Sequence, residues 1–190
     1  MKLVLASRSP QRRAILERLG VDFVVRPSDI EELEQGDPPA VALENALRKA
    51  TALAPVSGEL VLGVDTVVAL DGVLYGKPAT ADQAAATLRA LSGRTHTVIS
   101  GLALVAAGAQ PLTQAESTAV SFRELDEPMI EWYVASGEWQ GRSGGYAIQQ
   151  AGGALVRRID GDYTNVVGLP LAVLLDLCPS LLGPWRAASL

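Results

Sequence analysis

Short apolar runs with strand character alternate along this chain with segments that carry helix start and stop signals. Residues 2–6 form a β-rich run, and a helix follows at once, with Ser9 as N-cap, Pro10 at its first position and Gly20 as its stop. Phe23-Val24-Val25 predicts a second strand, and Asp37-Pro38 opens a helix running to about residue 54. Residues 60–70 are almost continuously apolar, the pattern of a strand covered on both faces. Asp71-Gly72 is a two-residue hairpin signal, and Thr80-Ala81-Asp82-Gln83 a capping box for a helix to about residue 91. Two long strands, 95–105 and 112–123, are joined by a turn at Gly108 and Pro111. A helix from Asp126 to Gly137 and a glycine-rich loop at Gly141, Gly144 and Gly145 come next. A strand at 154–159, a loop to Pro170 and a closing helix complete the order. Strands mixed with helices throughout predict an α/β fold on a twisted mixed sheet.

The 190 residues suit one domain spanning 1–190, and no Gly/Ser or Pro-rich linker divides them. With 48% hydrophobic and 19% charged residues, the chain has enough apolar surface for a core. Sixteen Lys and Arg against 21 Asp and Glu give a net charge of −5, which argues against a broad nucleic-acid-binding face. An anionic ligand must then be gripped by a local cluster of cations, which favours a small molecule. The single Cys178, among Leu174, Leu175 and Leu177, fits a buried thiol in a reducing compartment. The apolar runs at 3–6 and 169–177 are too short or too interrupted for a signal-peptide core or a membrane span. A soluble, cytoplasmic protein without nucleic-acid or membrane partners is the expectation.

Several motifs lead nowhere. Gly141-Arg142-Ser143-Gly144-Gly145 fits the G-x-S-x-G of a serine hydrolase, but the only histidine, His96, precedes it, so the segment is expected to be a turn. Gly72 to Lys77 is one residue short of a P-loop, with Pro78 in place of the Ser/Thr. No G-x-G-x-x-G is present, and one histidine alone does not make a usual zinc site.

Other motifs converge. Ser9, Arg8, Arg12 and Arg13 surround a helix start, whose free amides and dipole suit a phosphate, although a capped surface helix with solvated arginines fits the same residues. Asp65 lies inside the apolar 60–70 run on one face with Val61, Gly63 and Val67. A carboxylate there requires pairing, hydrogen bonds or a cation. Glu31-Glu32 follows the second strand, and a carboxylate from this loop meeting Asp65 would make an oxygen-ligand pocket for Mg²⁺. Gly76 and Pro78 fix the direction of Lys77, while Lys49 on its own reads as a solvated lysine. Gln149, beyond the glycine-rich loop, offers an amide that suits a base edge.

Taken in order, these segments resemble the Maf family of nucleoside triphosphate pyrophosphatases over essentially the full length. The resemblance rests on Leu5-Ala6-Ser7 with Ser9-Pro10 and Arg12-Arg13, on Asp29-Ile30-Glu31-Glu32, on Asn45-Ala46 with Lys49-Ala50, and on Gly63-Val64-Asp65-Thr66-Val67-Val68. It continues through Gly76-Lys77-Pro78, the run from Leu91 to Val98, Gly145-Tyr146-Ala147-Ile148-Gln149, and Val166-Val167-Gly168-Leu169-Pro170. It implies a two-lobed, Maf/ITPase-like α/β fold around a central cleft, often dimeric. The implied reaction is divalent-metal-dependent (Mg²⁺ or Mn²⁺) cleavage of a nucleoside triphosphate between its α and β phosphates. By position, Asp65 would be the general base or a metal ligand and Glu32 a second acidic group at the metal. Ser9, Arg12, Lys49 and Lys77 would hold the triphosphate, and Lys77→Ala is expected to cost more activity than Arg142→Ala. Thr66 and Gln149 match positions tied to base selection. Most branch signals resemble the dTTP/UTP branch, whereas Gln11 departs from its usual Arg, and Arg12-Arg13-Ala14 echoes the 7-methyl-GTP branch. A non-enzymatic regulator of septum formation is the alternative that the family name carries.

Overall fold

In the computed structural model, which describes residues 2–182, the chain begins with β1 (Lys2–Leu5), α1 (Pro10–Arg18), β2 (Phe23–Val25) and α2 (Pro38–Thr51). It continues with β3 (Glu59–Leu70), β4 (Val73–Tyr75), α3 (Ala81–Leu91), β5 (Thr95–Ala106), β6 (Leu112–Phe122) and α4 (Glu127–Ala135). Two 3₁₀ turns (Ser143–Gly145 and Ala151–Leu155), β7 (Val156–Asp160), α5 (Tyr163–Val167) and α6 (Leu171–Leu177) follow. The helix starts are written locally: Ser9, Asp37, Thr80 and Asp126 each accept a hydrogen bond from the backbone three residues on. Asp71 and Gly72 both take positive φ, as a tight hairpin between β3 and β4 requires.

One mixed sheet results, in the order β2-β1-β3-β5-β6-β7 with β4 attached to β3. β1 runs parallel to both neighbours, and the remaining pairs are antiparallel. Two expectations need correction. Residues 163–167, expected as loop, form α5, because Asp162 caps it through the Thr164 amide. Ala154 and Leu155 belong to a 3₁₀ turn, and strand structure starts at Val156.

β3 organises the interior. Leu60, Leu62 and Val64 enter one apolar cluster with Leu5, Leu16, Leu102 and Leu174. Val68 and Leu70, on the same face, enter a second with Leu88, Leu91, Ile130 and Tyr133. The opposite face lies under α2. Added Cβ atoms at Gly63 and Gly101 would stand 2.0 Å from the Ala46 carbonyl oxygen and 2.3 Å from that of Ala42, so these two glycines let the helix backbone rest directly on the sheet. Gly63→Ala is expected to lower stability by about 3 kcal/mol, because backbone rather than a pliable side chain stands in the way. It should also slow turnover, since α2 carries two residues that hold Asp65; denaturant unfolding together with a rate assay checks both.

His96 is 1% exposed, its Nε2 lies 2.8 Å from the Tyr146 hydroxyl, and its ring packs edge-on against Phe122. Burial pulls its pKa down to about 4. The folded state therefore resists protonation that the unfolded chain accepts from about pH 6.5 downward. Stability is full above that pH and falls by roughly 3 kcal/mol as pH drops to 4. A His96→Gln variant should have a flatter profile in pH-dependent thermal melts.

Candidate active site

Along one edge, β3 pairs with β1 from Glu59 to Leu62 and with β4 from Val68 to Leu70. The stretch between them has no ladder partner on that side among the described residues. A cleft of about 530 Å³ opens there, beyond the end of β1, where crossing points of strand order commonly place ligands. Asp65 and Thr66 lie in the gap. The walls come from the β1–α1 turn, the loop after β2, α2, the segment after β4, and residues 140–149.

Asp65 is 4% exposed and fully engaged. Asn45 and Lys49, one turn apart on α2, reach it together: Lys49 Nζ donates to Oδ1 at 2.6 Å and Asn45 Nδ2 to Oδ2 at 3.1 Å. Lys49 also meets Glu32 Oε1 at 2.6 Å, and Lys77 meets Glu32 Oε2 at 2.8 Å. Asp65–Lys49–Glu32–Lys77 is therefore one chain of alternating charge, buried at the Asp65 end and open at Lys77. Burial works to raise the Glu32 pKa, but hydrogen bonds from Lys49 and Lys77 outweigh it and hold it at about 2.

Arg12 closes the opposite wall. Its Nε donates to the Gly168 carbonyl at 2.8 Å, Nη1 to Ser7 Oγ at 3.0 Å and Nη2 to Thr66 Oγ1 at 3.1 Å. Burial lowers its pKa against the opposing pull of Asp65 and Glu32, yet a guanidinium stays charged. Thr66 further shares a 2.9 Å bond with Ser100 Oγ. Ser9 Oγ caps α1 and lies 3.0 Å from Gln11 Oε1, which it can serve as donor. Gln149 lines the cleft and is exposed.

Nine of the residues singled out in the sequence, Ser9, Gln11, Arg12, Glu32, Lys49, Asp65, Thr66, Lys77 and Gln149, border one cleft. Arg13 does not: it is exposed and paired with Glu17. Arg8 pairs with Asp29 at the rim, and Glu31 lies outside the lining. Lys49, read in isolation as solvated, is buried. Sequence reasoning missed Asn45 as a direct partner of Asp65, although its place four residues before Lys49 was the available signal. It also missed Arg142, which lies in the lining.

The cleft holds five cations (Arg8, Arg12, Lys49, Lys77, Arg142) and three carboxylates (Asp29, Glu32, Asp65), a positive mouth on a chain of net −5. Such a site favours a compact polyanion. Glu32 and Asp65 also suit a divalent cation by donor type, since each oxygen that accepts one hydrogen bond keeps a further lone pair. No group of three or more potential ligands among His, Cys, Asp and Glu occurs among the described residues. Mg²⁺ is commonly held by one or two carboxylates with substrate phosphates and water. No helix among the described residues is long and apolar enough to cross a membrane.

Comparison with known proteins identifies the family. The sequence profile of the family described as Maf-like protein matches residues 2–181. A dTTP/UTP pyrophosphatase of Moorella thermoacetica is 50% identical over 181 residues, covering 93% of each chain. One from Pyrococcus furiosus is 42% identical over 179 residues, also covering 93% of each. Among solved structures, a HAM1 protein from Coxiella burnetii superposes with a TM-score of 0.50 at 23% identity, covering 82% of this chain and 91% of that one, a likeness of fold. The α/β sheet, the cleft at its open edge and the match over nearly every described residue lead to one assignment: the chain belongs to the Maf family.

Proposed function

We propose that this protein is a nucleoside triphosphate pyrophosphatase that converts dTTP and UTP to the nucleoside monophosphate and pyrophosphate. The observation that carries the reading is the Asp65–Lys49–Glu32–Lys77 chain, buried at Asp65 and Lys49, in a cleft of net positive charge. The names of the two relatives above support the reaction and the bases.

Asp65, oriented by Asn45 and Lys49, accepts a proton from a water that attacks the α phosphorus. The bond between that phosphorus and the α–β bridging oxygen breaks, and pyrophosphate leaves with the bridging oxygen. Lys49, Lys77 and Arg12 offset the charge that gathers on the departing group. Glu32 holds both ammonium groups in position. Mg²⁺ or Mn²⁺, when bound at Glu32 and Asp65, supplies further neutralisation of the phosphate oxygens. Thr66, fixed between Arg12 and Ser100, and Gln11 and Gln149 at the borders are the residues for base selection. A cytoplasmic enzyme accords with this substrate, and a homodimer is the proposed assembly, which sedimentation would test.

The deciding experiment offers purified protein dTTP, UTP, the other common nucleoside triphosphates and 7-methyl-GTP, with Mg²⁺, with Mn²⁺ and with chelator. Metal-dependent pyrophosphate release, highest from dTTP and UTP, is the expected result. Release of inorganic phosphate alone, or no turnover of any nucleotide, would overturn it; preference for 7-methyl-GTP would move the protein to the other branch.

A further inference from the structure

Every cation of the cleft but one has an acceptor among the described residues. Arg8 pairs with Asp29, Lys49 with Asp65 and Glu32, and Lys77 with Glu32, while Arg12 donates from all three of its nitrogens. Arg142 has no salt bridge or side-chain hydrogen bond to any described residue, and its Nε is buried without a partner. A guanidinium that has lost water at one donor and gained no acceptor is held at a cost, unless a ligand completes it.

The surrounding loop fixes where that charge stands. Ser143 Oγ donates to the Thr66 carbonyl at 2.8 Å, beside Asp65. The Gly144 amide donates to the Gly76 carbonyl at 3.1 Å, beside Lys77. Gly144 has φ +70°, and a Cβ there would stand 2.8 Å from Val68 Cγ2, so only glycine lets the loop lie this close to β3. Arg142 is thus presented from a segment tied at adjacent residues to both the general base and the outermost lysine. Lys77 already spends one donor on Glu32, whereas the four Nη N–H donors of Arg142 have no partner among the described residues.

We propose that Arg142 is a substrate-contacting residue that grips the terminal phosphates of the nucleotide, the part released as pyrophosphate, through the forked geometry with which guanidinium groups bind phosphate. This rests on the pyrophosphatase reading and adds to it a residue that binds the leaving group. Of these cations, Lys77 is exposed and Arg142 half-buried, whereas Arg12 and Lys49 are buried.

Inorganic pyrophosphate and dTMP are the probes, each titrated calorimetrically into the intact protein, alongside steady-state kinetics with dTTP. Arg142→Gln is expected to weaken pyrophosphate binding by about 10- to 100-fold, the worth of one or two charge-assisted hydrogen bonds. It should leave dTMP affinity within twofold, and Arg142→Lys should recover part of the loss. Circular dichroism establishes that the variants are folded; should Arg142→Gln fail to fold, the lysine variant carries the comparison, with weakened pyrophosphate and unchanged dTMP binding expected. Unchanged pyrophosphate affinity, or equal weakening of both ligands, would overturn the assignment. If the wild type cleaves dTTP while Arg142→Gln binds pyrophosphate normally, only the role of Arg142 falls. A wild type that releases no pyrophosphate from any nucleotide removes the underlying reading instead.

Discussion

Asp65→Asn is expected to leave a folded protein whose turnover is lower by about 10²–10⁴-fold, the usual worth of a positioned general base. The substitution preserves shape but not chemistry. An amide cannot take the proton of the attacking water, and it presents an NH₂ group to one of two donors, Lys49 Nζ or Asn45 Nδ2, that now face carboxylate oxygens. The mismatch is expected to lower stability by about 1–3 kcal/mol, a modest drop in melting temperature. Rates and melting curves measured on the same preparation separate the two effects. Wild-type turnover from a folded Asp65→Asn protein would remove Asp65 from the chemistry.

Lys49→Met should damage both stability and rate, because Lys49 is the ammonium between Asp65 and Glu32. Methionine fills the space beneath but leaves two carboxylates facing each other, Asp65 almost wholly buried. Breaking such a pair from one side typically costs about 3–5 kcal/mol. If Lys49 serves the phosphates as proposed, loss of that donor adds about 10²–10³-fold in kcat. Glu32 also reports the change. Its depressed pKa means that its interactions stabilise the fold above the ordinary carboxylate range, and that this contribution is lost as pH falls toward 2. With Lys49 gone, only Lys77 holds it down, so its midpoint should move upward and the part of the stability that Glu32 loses in acid should shrink. Side-chain carboxyl NMR through an acid titration measures the first, and melts below pH 5 the second. A Glu32 midpoint that stays near 2 would show that Lys77 alone sets it.

Much of this architecture could be read in advance where the cause is local. Ser9, Asp37, Thr80 and Asp126 announce their helices because a cap acts over three residues, and Asp71-Gly72 announces its hairpin for a similar reason. The five residues of α5 span too little of a helical period to register, and its capping Asp162 looks like any loop aspartate. Asp65 stood out because a carboxylate in an apolar strand needs an explanation. Lys49 did not, since the burial of one face of α2 depends on Gly63 and Gly101, which come from two different strands. Arg142 sat in a glycine-rich stretch that reads as a turn, which it is; the Ser143–Thr66 and Gly144–Gly76 bonds that carry it to the cleft join residues far apart in sequence.

The division of β3 between two apolar clusters has a practical consequence. Val64 is anchored in one and Val68 in the other, and Asp65, Thr66 and Val67 span the distance between them. With only three residues between the anchors, a shift at either one should reach the Asp65 carboxylate. Repacking either cluster to gain heat tolerance should therefore change catalytic rates as well, even when the altered side chain is remote from any phosphate. The exposed outer faces of α3 and α4 are safer places to strengthen the protein.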